Sequence, residues 1–365
     1  MVVYLCNILL ILLWGMFLVY HKPNNRKKAL FCTVASFQWT LISGLRGLSV
    51  GADTLNYRRS FNTIGTYSWS KVFHAFFEVY FRGRAVEDIS ENTLYKDPGY
   101  AVFVKFAHIF TDNYQVYLLI VAAILFISLG YFVYKHSQDA VFSYILFSCL
   151  FYSFYAVTGI RQSLATALIV FIGYSLIQDK KFVKFVIVAA LAFILHKSSI
   201  IFVFFYFLSK IKVNWKYIVA MLAALAVTIT AGAPFILRIG QMFGYERDEV
   251  YESTPYVYLA LMVLMAVAAA VFAKRVQTAD PKRGKELNAV LLAGALTALT
   301  VVDQSMMRVQ QYYALFLMLA IPSMLQCLEK RFRWIVTLLG EGALIALMMQ
   351  NHPQYVFFWQ ESHLL

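Results

Sequence analysis

The uncharged run YQVYLLIVAAILFISLGYFVY, residues 114–134, decides the class of this protein. A helix that crosses the hydrocarbon core of a bilayer needs about 20 predominantly apolar residues, and this run supplies them before Lys135 interrupts it. Similar runs recur along the 365-residue chain, of which 61% is hydrophobic and 14% charged. Soluble domains average about 25% charged residues, so the composition excludes an ordinary soluble protein and predicts a polytopic membrane protein.

Further apolar segments accompany this run, and together they predict about twelve transmembrane helices. The predicted spans are residues 3–20, 29–45, 114–134, 140–157, 160–177, 183–196, 198–210, 217–237, 256–273, 287–303, 309–327 and 335–350. Residues 1–365 are therefore expected to form a single all-α integral membrane domain. Between residues 182 and 208, polar residues interrupt the apolar sequence, and the pattern fits either two short spans or one long broken helix.

Basic residues cluster between alternate spans, as the positive-inside rule expects of cytoplasmic loops. The clusters are Lys22, Arg26, Lys27 and Lys28; Lys135; Lys180, Lys181 and Lys184; Lys210, Lys212 and Lys216; Lys274, Arg275, Lys282, Arg283 and Lys285; and Lys330, Arg331 and Arg333. Placing the first loop inside places all of them inside, with both termini outside. These loops explain the formal net charge of +13, so we expect a multi-pass membrane protein with no nucleic-acid partner. The family resemblance described below implies that this membrane is the bacterial cytoplasmic membrane.

Residues 46–113 form the one long polar interval, which this topology places outside the membrane. Aromatic and apolar residues recur at helical spacing from Trp69 to Tyr80, which predicts an amphipathic helix over about 69–84 in the membrane interface. Packing alone would explain such a helix, and guiding a lipid-linked substrate is the functional alternative. A further helix is expected after Asp97, because Pro98 suits a first helical position.

Several cationic residues lie at outer ends of the spans, where the positive-inside rule disfavours them. They are Arg46, Arg161, His196, Lys197, Arg238, Arg247 and Arg308. Each one alone is compatible with a side chain that reaches the outer headgroups. Ionisable groups at membrane depth usually face a bundle interior, however, and arginine holds phosphate oxygens bidentately. We therefore predict that Arg46, Arg161 and Arg308 form a pocket for a phosphate or pyrophosphate. In a membrane, the expected ligand is a polyprenyl pyrophosphate that carries a sugar chain.

Carboxylates are scarce outside the predicted cytoplasmic loops, so Asp53, Asp97 and Asp303 are candidate catalytic residues. Asp53 and Asp97 are equally suited to cap a helix or a turn. His196 is a further candidate, because an imidazole ordinarily titrates in the range that general base catalysis needs. The sequence contains no metal-binding, nucleotide-binding or Gly-x-Ser-x-Gly motif, and its four cysteines lie singly in apolar runs. We therefore expect neither a metal nor another cofactor.

Four short strings follow apolar spans in a distinctive order. They are Arg46-Gly-Leu-Ser-Val-Gly-Ala-Asp53-Thr54 with Tyr57, Asp97-Pro98-Gly99-Tyr100, Gly159-Ile160-Arg161-Gln162-Ser163-Leu164-Ala165 and His196-Lys197-Ser198. In combination they resemble the EpsG branch of the Wzy-like bacterial polysaccharide polymerases, and the likeness runs from the first span to about residue 210. The later half resembles the family mainly through Arg308, Tyr312, Tyr313 and Pro322. Asp97 stands where a glutamate is expected.

The resemblance implies a membrane glycosyltransferase of GT-C-like architecture with its active site at the periplasmic or outer face of the membrane. Such enzymes transfer a growing glycan from undecaprenyl pyrophosphate to a hydroxyl of a new lipid-linked repeat unit, making O-antigen, capsule or exopolysaccharide. Both the donor and the acceptor are then lipid-linked glycans, and a chain-length regulator is compatible with the resemblance as a protein partner. Pyrophosphate leaves in this reaction, so arginines could stabilise its developing charge without a metal.

The roles expected on this basis fall on eight residues. Arg161 and Arg308 hold the pyrophosphate, while Arg46 positions the Asp53 loop or contacts the same phosphate. Gln162 and Tyr312 bind sugar hydroxyls. The catalytic base is Asp53, His196 or Asp97, in that order of preference.

Three other functions remain open on the sequence alone. A ligase that moves the finished glycan to another acceptor would use the same pocket. A flippase for lipid-linked oligosaccharides would carry charge along a route through both leaflets, whereas the unusual charges here gather toward one face. Membrane-bound acyl transfer is less favoured, because no second histidine lies near His196 in the sequence.

Overall fold

The computed structural model describes residues 1–83, 92–242, 256–302, 306–350 and 352–361. Regular structure in these ranges is helical, which confirms the predicted all-α fold class. The β-type pairing found there is a single isolated antiparallel bridge between Arg46 and Phe357. Arg247 and Asp303 lie outside the described residues, as does the predicted end of the interfacial helix at residue 84.

Within the described ranges, five helices are long and apolar enough to cross a bilayer, which supports the multi-pass membrane class. They are Val2–Tyr20, Tyr114–His136, Ile160–Gln178, Tyr256–Ala279 and Lys330–Gln350. Shorter apolar helices cover Ala140–Phe151, Phe182–Leu195, Lys197–Leu208 and Trp215–Thr228. The last of these is the first part of a helix that runs from Trp215 to Met242. The count of twelve spans and the GT-C-like arrangement stay predictions.

The remaining helices are shorter or more polar. They are Asn25–Gly44, Thr54–Thr66, Trp69–Phe81, Asn92–Lys96, Pro98–Ala107, Gly284–Leu296, Leu299–Val302, Met307–Ala314 and Leu317–Leu325, with a π-helical segment Ser153–Thr158 and 3-10 turns Pro281–Arg283 and Phe358–Glu361. Side-chain caps define the starts of several helices. Asn113, which precedes the helix Tyr114–His136, accepts hydrogen bonds from the backbone N–H groups of Gln115 and Val116 at 2.8 and 3.3 Å.

The centre of the protein is an aromatic core in which Trp39 is fully buried. The Trp39 ring stacks on Phe126 and meets Phe147 edge to face, with centroid separations of 5.8 and 5.6 Å. Its indole N–H donates to Ser148 Oγ at 3.1 Å, which satisfies the one polar atom that this large side chain carries into the core. This packing joins the helix Asn25–Gly44 to the helix Tyr114–His136. The two helices form the scaffold that carries the connecting loops at either end.

Several connecting loops contact one another. Among the loops predicted to be cytoplasmic, Lys28 Nζ donates to Ser137 O at 2.7 Å, and Lys285 Nζ donates to Gln178 Oε1 at 3.0 Å. The loops predicted to lie outside meet one another instead, through the residues of the candidate site described below. No membrane is present in the structure, so the assignment of one group to the cytoplasm stays a prediction.

The helix Phe182–Leu195 ends abruptly at His196, where the backbone is extended at φ −159° and ψ 113°. The chain resumes in a 3-10 conformation over Lys197–Phe204 before a short α-helical turn. Of the two alternatives for this region, the structure therefore has two short helices separated by a sharp break. That break turns the His196 side chain out of the helix and toward the loop that carries Asp97.

The helix Trp69–Phe81 has two distinct faces. Val72 and Ala75 are buried against the protein. The aromatic side chains on the other face are exposed at four-residue spacing, namely Trp69, Phe73, Phe77 and Phe81. An exposed aromatic stripe of this kind suits the interface between lipid and water, and its location there stays a prediction.

Candidate functional site

Asp97 is the centre of the candidate site. It stands immediately before the helix Pro98–Ala107, but its side chain makes no capping hydrogen bond. Instead, Asp97 Oδ2 accepts a hydrogen bond from Arg161 Nη1 at 2.7 Å and lies 3.2 Å from His196 Nδ1. Along the chain, Arg161 lies 64 positions after Asp97 and His196 lies 99 positions after it. The folded chain thus builds an Arg161–Asp97–His196 cluster from residues at the ends of three different helices.

Gly99 allows the Asp97 turn to approach the His196 break closely. A Cβ atom at residue 99 would collide with the backbone carbonyl oxygen of Ile194. The missing side chain therefore lets the start of the helix Pro98–Ala107 rest directly on the end of the helix Phe182–Leu195. This contact explains why the sequence places a glycine two residues after the aspartate.

Arg161 lies in the first turn of the helix Ile160–Gln178, directly after a break at Gly159. A Cβ atom at Gly159 would lie 2.6 Å from the ring of Phe154, so the break is also a site of close packing. The guanidinium carbon of Arg161 lies 6.0 Å from the centroid of the Tyr57 ring, a cation–π contact. The positive end of the helix dipole adds to the arginine charge at this position.

The cluster holds Asp97 in its ionised form. Burial alone would raise the pKa of Asp97, but the charge of Arg161 and the neighbouring His196, which also donates a hydrogen bond, outweigh it and hold the pKa well below its usual range. Lys197 contributes in the same direction. An ionised carboxylate can only accept hydrogen bonds, so the proton of the contact lies on His196 Nδ1. The other ring nitrogen of His196, Nε2, is buried and has no hydrogen-bond partner among the described residues.

Three further predicted residues lie around the cluster. Gln162, which follows Arg161, donates through Nε2 to the backbone oxygen of Arg308 at 2.7 Å, while its Oε1 has no hydrogen-bond partner within the described ranges. Arg308 is half-buried, and its side chain makes no hydrogen bond or ion pair with a described residue. On the other side, the hydroxyl groups of Ser198 and Tyr312 lie 3.0 Å apart.

Polar side chains that the sequence analysis did not select extend the site inward. Ser199 Oγ, Gln310 Nε2 and Gln311 Oε1 are buried without a hydrogen-bond partner in the described part of the chain. Tyr258 donates to Gln310 Oε1 at 2.7 Å, which leaves the amide nitrogen of that glutamine free. Buried polar atoms normally have a hydrogen-bond partner. These three unpaired atoms are therefore suited to bind the hydroxyls of a ligand. A signal was present in the sequence, because Gln310 and Gln311 are polar residues at the start of the predicted span 309–327.

Arg46 and Asp53 lie in the adjoining loop and do not join the cluster directly. Arg46 is buried, and its Nη1 donates to the backbone oxygen of Ser43 at 2.5 Å, so the guanidinium points into the protein. Asp53 occupies the N-cap position of Thr54–Thr66 without a capping hydrogen bond and is half-buried. Tyr57, one turn after Asp53, is the side chain that reaches Arg161. Of the predicted Arg238, only the backbone is described.

The site therefore presents several cations, one carboxylate and one imidazole with a free nitrogen. Arg161 and Lys197 lie at the cluster, and the backbone oxygen of Arg308 accepts a hydrogen bond from Gln162, the residue after Arg161. The negative charge of Asp97 balances the positive charge of Arg161, and the charges of Lys197 and Arg308 remain. The site is therefore suited to an anionic ligand. Within the described ranges, no three His, Cys, Asp or Glu side chains come together as they would in a metal centre.

These features define an all-helical, multi-pass membrane protein with a cationic polar site where several loops meet. The chain belongs to the EpsG family, whose sequence model matches residues 28–352. This match confirms the resemblance drawn from the four short strings, and it associates the chain with polysaccharide polymerases of the membrane. No curated protein and no solved structure matches the chain.

Proposed function

We propose that this protein is a glycosyltransferase that polymerises undecaprenyl pyrophosphate-linked oligosaccharide repeat units at the outer face of the bacterial cytoplasmic membrane. The observation that carries the proposal is the Arg161–Asp97–His196 cluster with its free Nε2. It combines a group that can accept a proton with cations that can receive a departing pyrophosphate, and both are needed in this reaction.

In the proposed reaction, a hydroxyl of the acceptor glycan attacks the anomeric carbon of the donor glycan. The new glycosidic C–O bond forms as the bond between that carbon and the pyrophosphate oxygen breaks. The hydroxyl proton passes to His196 Nε2, and the Asp97 carboxylate stabilises the imidazolium that results. This assignment moves His196 ahead of Asp53 as base, because the Asp53 side chain has no contact with the cluster, and it gives Asp97 an orienting role.

The departing pyrophosphate carries the negative charge that develops in the reaction. Lys197 and Arg308 have no carboxylate partner among the described residues, so they are available to bind it, while Arg161 is shared with Asp97. Preorganised cations in a site with little water stabilise such charge more strongly than cations in bulk water do. The chemistry therefore requires no metal ion, and Gln162 with the buried polar group beside it would bind sugar hydroxyls.

The test is to incubate the purified protein with an undecaprenyl pyrophosphate-linked repeat unit in the presence of a chelator and to separate the products by size. A ladder of multiples is expected from the native protein, and His196→Gln should lower its rate at least 100-fold, the lower range for loss of general base catalysis. His74→Gln, at a histidine whose side chain is 61% exposed, is the matched control and should leave the ladder unchanged. A full ladder from His196→Gln would remove His196 as base.

Two outcomes would favour the alternative functions. Transfer of a single glycan to a non-repeat acceptor, without a ladder, would indicate a ligase. Movement of the lipid-linked unit across a vesicle membrane without any new glycosidic bond would indicate a flippase.

A further inference from the structure

The loop that follows Arg46 holds a carboxylate in a cradle of backbone N–H groups. Leu48 N donates to Glu361 Oε2 at 2.5 Å, and Ser49 N donates to Glu361 Oε1 at 3.2 Å. The Ser49 hydroxyl also donates to Glu361 Oε1. Consecutive N–H groups that converge on one anion form a binding concavity of the kind that takes phosphate in other proteins. Glu361 therefore fills, with its own carboxylate, a site built for an anion.

Gly47 makes room for the anion in this cradle. A Cβ atom at residue 47 would lie 2.6 Å from the carboxylate carbon and from an oxygen of Glu361. Glu361 itself is only 9% exposed, although it lies at the end of the described chain. The bound carboxylate is thus enclosed, and no other side chain could replace the glycine without moving it.

The segment that delivers Glu361 is fastened to the same loop by a short backbone pairing. Phe358 N donates to Leu45 O at 3.0 Å, and Gly47 N donates to Val356 O at 2.9 Å. We call residues 355–361 the C-terminal strap. The strap lies beyond the residues that the family model matches, so it is an addition to the part of the chain that family membership explains.

A cavity of about 280 Å³ opens beside the cradle, with Leu48 and Glu361 in its wall. Arg58 also lines this cavity, and its guanidinium has no ion pair with a described residue. Asn62 and Gln115 add polar groups to the lining. The Asp112 carboxylate, which lies 2.8 Å from His108 Nδ1, is also in the lining. An anion that enters the cavity would meet Arg58 next to the site that Glu361 occupies.

We propose that the loop Gly47–Ser49 is a binding site for a phosphate or pyrophosphate group, and that Glu361 blocks this site until such a ligand displaces it. Displacement frees the C-terminal strap from the loop and brings the ligand phosphate between the cradle and Arg58. The strap is then a lid whose release depends on an anion. The proposal rests on the contacts of this loop alone and does not depend on the reaction at His196.

The test measures binding and exchange, with no enzymatic activity as readout. The full-length protein in nanodiscs of uncharged lipid is titrated with inorganic pyrophosphate and, separately, with farnesyl pyrophosphate. Hydrogen–deuterium exchange follows peptides that contain Gly47 and Phe358. We expect faster exchange at Phe358 when the ligand binds, because the strap pairing opens.

The Glu361→Gln variant keeps the size of the side chain and removes its charge. It should bind pyrophosphate at least about tenfold more tightly, since a charge-assisted competitor has been weakened. Glu329→Gln, at an exposed carboxylate in another loop, is the matched control and should bind as the native protein does. Arg58→Gln should bind more weakly than native and provides a second test if Glu361→Gln fails to fold.

The outcomes separate the sources of the anion and can overturn the proposal. Binding of both ligands indicates a site for free phosphate groups, and binding of farnesyl pyrophosphate alone indicates a lipid-linked ligand. The displacement of Glu361 would be refuted if Glu361→Gln binds pyrophosphate with the native affinity. It would also be refuted if hydrogen exchange at Phe358 does not change when either ligand saturates the protein. Loss of polymerase activity in His196→Gln with normal pyrophosphate binding would leave this site standing.

Discussion

Replacing Asp97 by asparagine removes the charge that joins Arg161 to His196 while the shape of the side chain is kept. At an effective dielectric constant of about 20, an aspartate and an imidazolium whose atoms lie 3.2 Å apart attract each other by about 5 kcal/mol. The asparagine oxygen keeps part of this attraction as a dipole. If half is lost, turnover falls about 70-fold, and if all is lost it falls about 5,000-fold.

The assay is the rate of ladder formation by Asp97→Asn at saturating substrate. Asp97→Glu is the matched control, because it restores the charge one methylene further out, and it should recover part of the lost rate. Breaking a buried ion pair can cost about 3–5 kcal/mol of folding stability, so each variant is first compared with the native protein by thermal melting in detergent. A folded Asp97→Asn protein with turnover within threefold of native would refute the orienting role of Asp97.

Three further outcomes follow from the same geometry. The pKa of Asp97 is depressed in the folded protein, so its stabilising contribution is complete above the ordinary aspartate range and is lost only as the pH falls through the depressed value. The difference in stability between native protein and Asp97→Asn should therefore not shrink between pH 8 and pH 5, and shrinkage already at pH 6 would contradict the ion pair. Gly99→Ala should abolish turnover by pushing the turn off Ile194, whereas Gly342→Ala, with no atom within 4 Å of its Cβ, should leave turnover unchanged. A reporter placed after Asp280 should be cytoplasmic, and an external location would invert the proposed topology.

The sequence was sufficient for the features that depend on local pattern. Apolar runs predicted an all-helical membrane protein, and the four strings predicted the family that the comparison confirms. The break at His196 was also visible as polar residues between two short apolar runs. Each of these signals lies within about 20 neighbouring residues, where composition and spacing determine the local structure.

Pairings between distant segments could not be read in the same way. From the sequence alone, Asp97 is the least favoured of the three candidate bases, because nothing local shows that it lies between Arg161 and His196. The contact of Glu361 with Ser49 joins residues 312 positions apart and leaves no periodic trace in either segment. The roles predicted for Asp53 and Arg46 stay predictions, and the structure offers His196 as the better-placed base because its free nitrogen adjoins the cations.

The helix Trp69–Phe81 is expected either to pack only or also to guide the substrate. One hydrogen bond allows these two alternatives to be tested. Tyr80 OH donates to the backbone oxygen of Ile194 at 2.9 Å, two residues before His196, while the opposite face of the helix exposes its aromatic stripe. This hydrogen bond attaches the helix, which is predicted to lie in the membrane interface, to the break that positions the proposed base. Tyr80→Phe removes a bond worth about 0.5–1.5 kcal/mol, and we expect up to about a tenfold loss of turnover with little loss of stability. Tyr67→Phe, just before this helix, is the control and should leave turnover unchanged. If Tyr80→Phe and Tyr67→Phe have equal turnover, the position of His196 does not depend on the Tyr80 hydrogen bond, and the helix only packs.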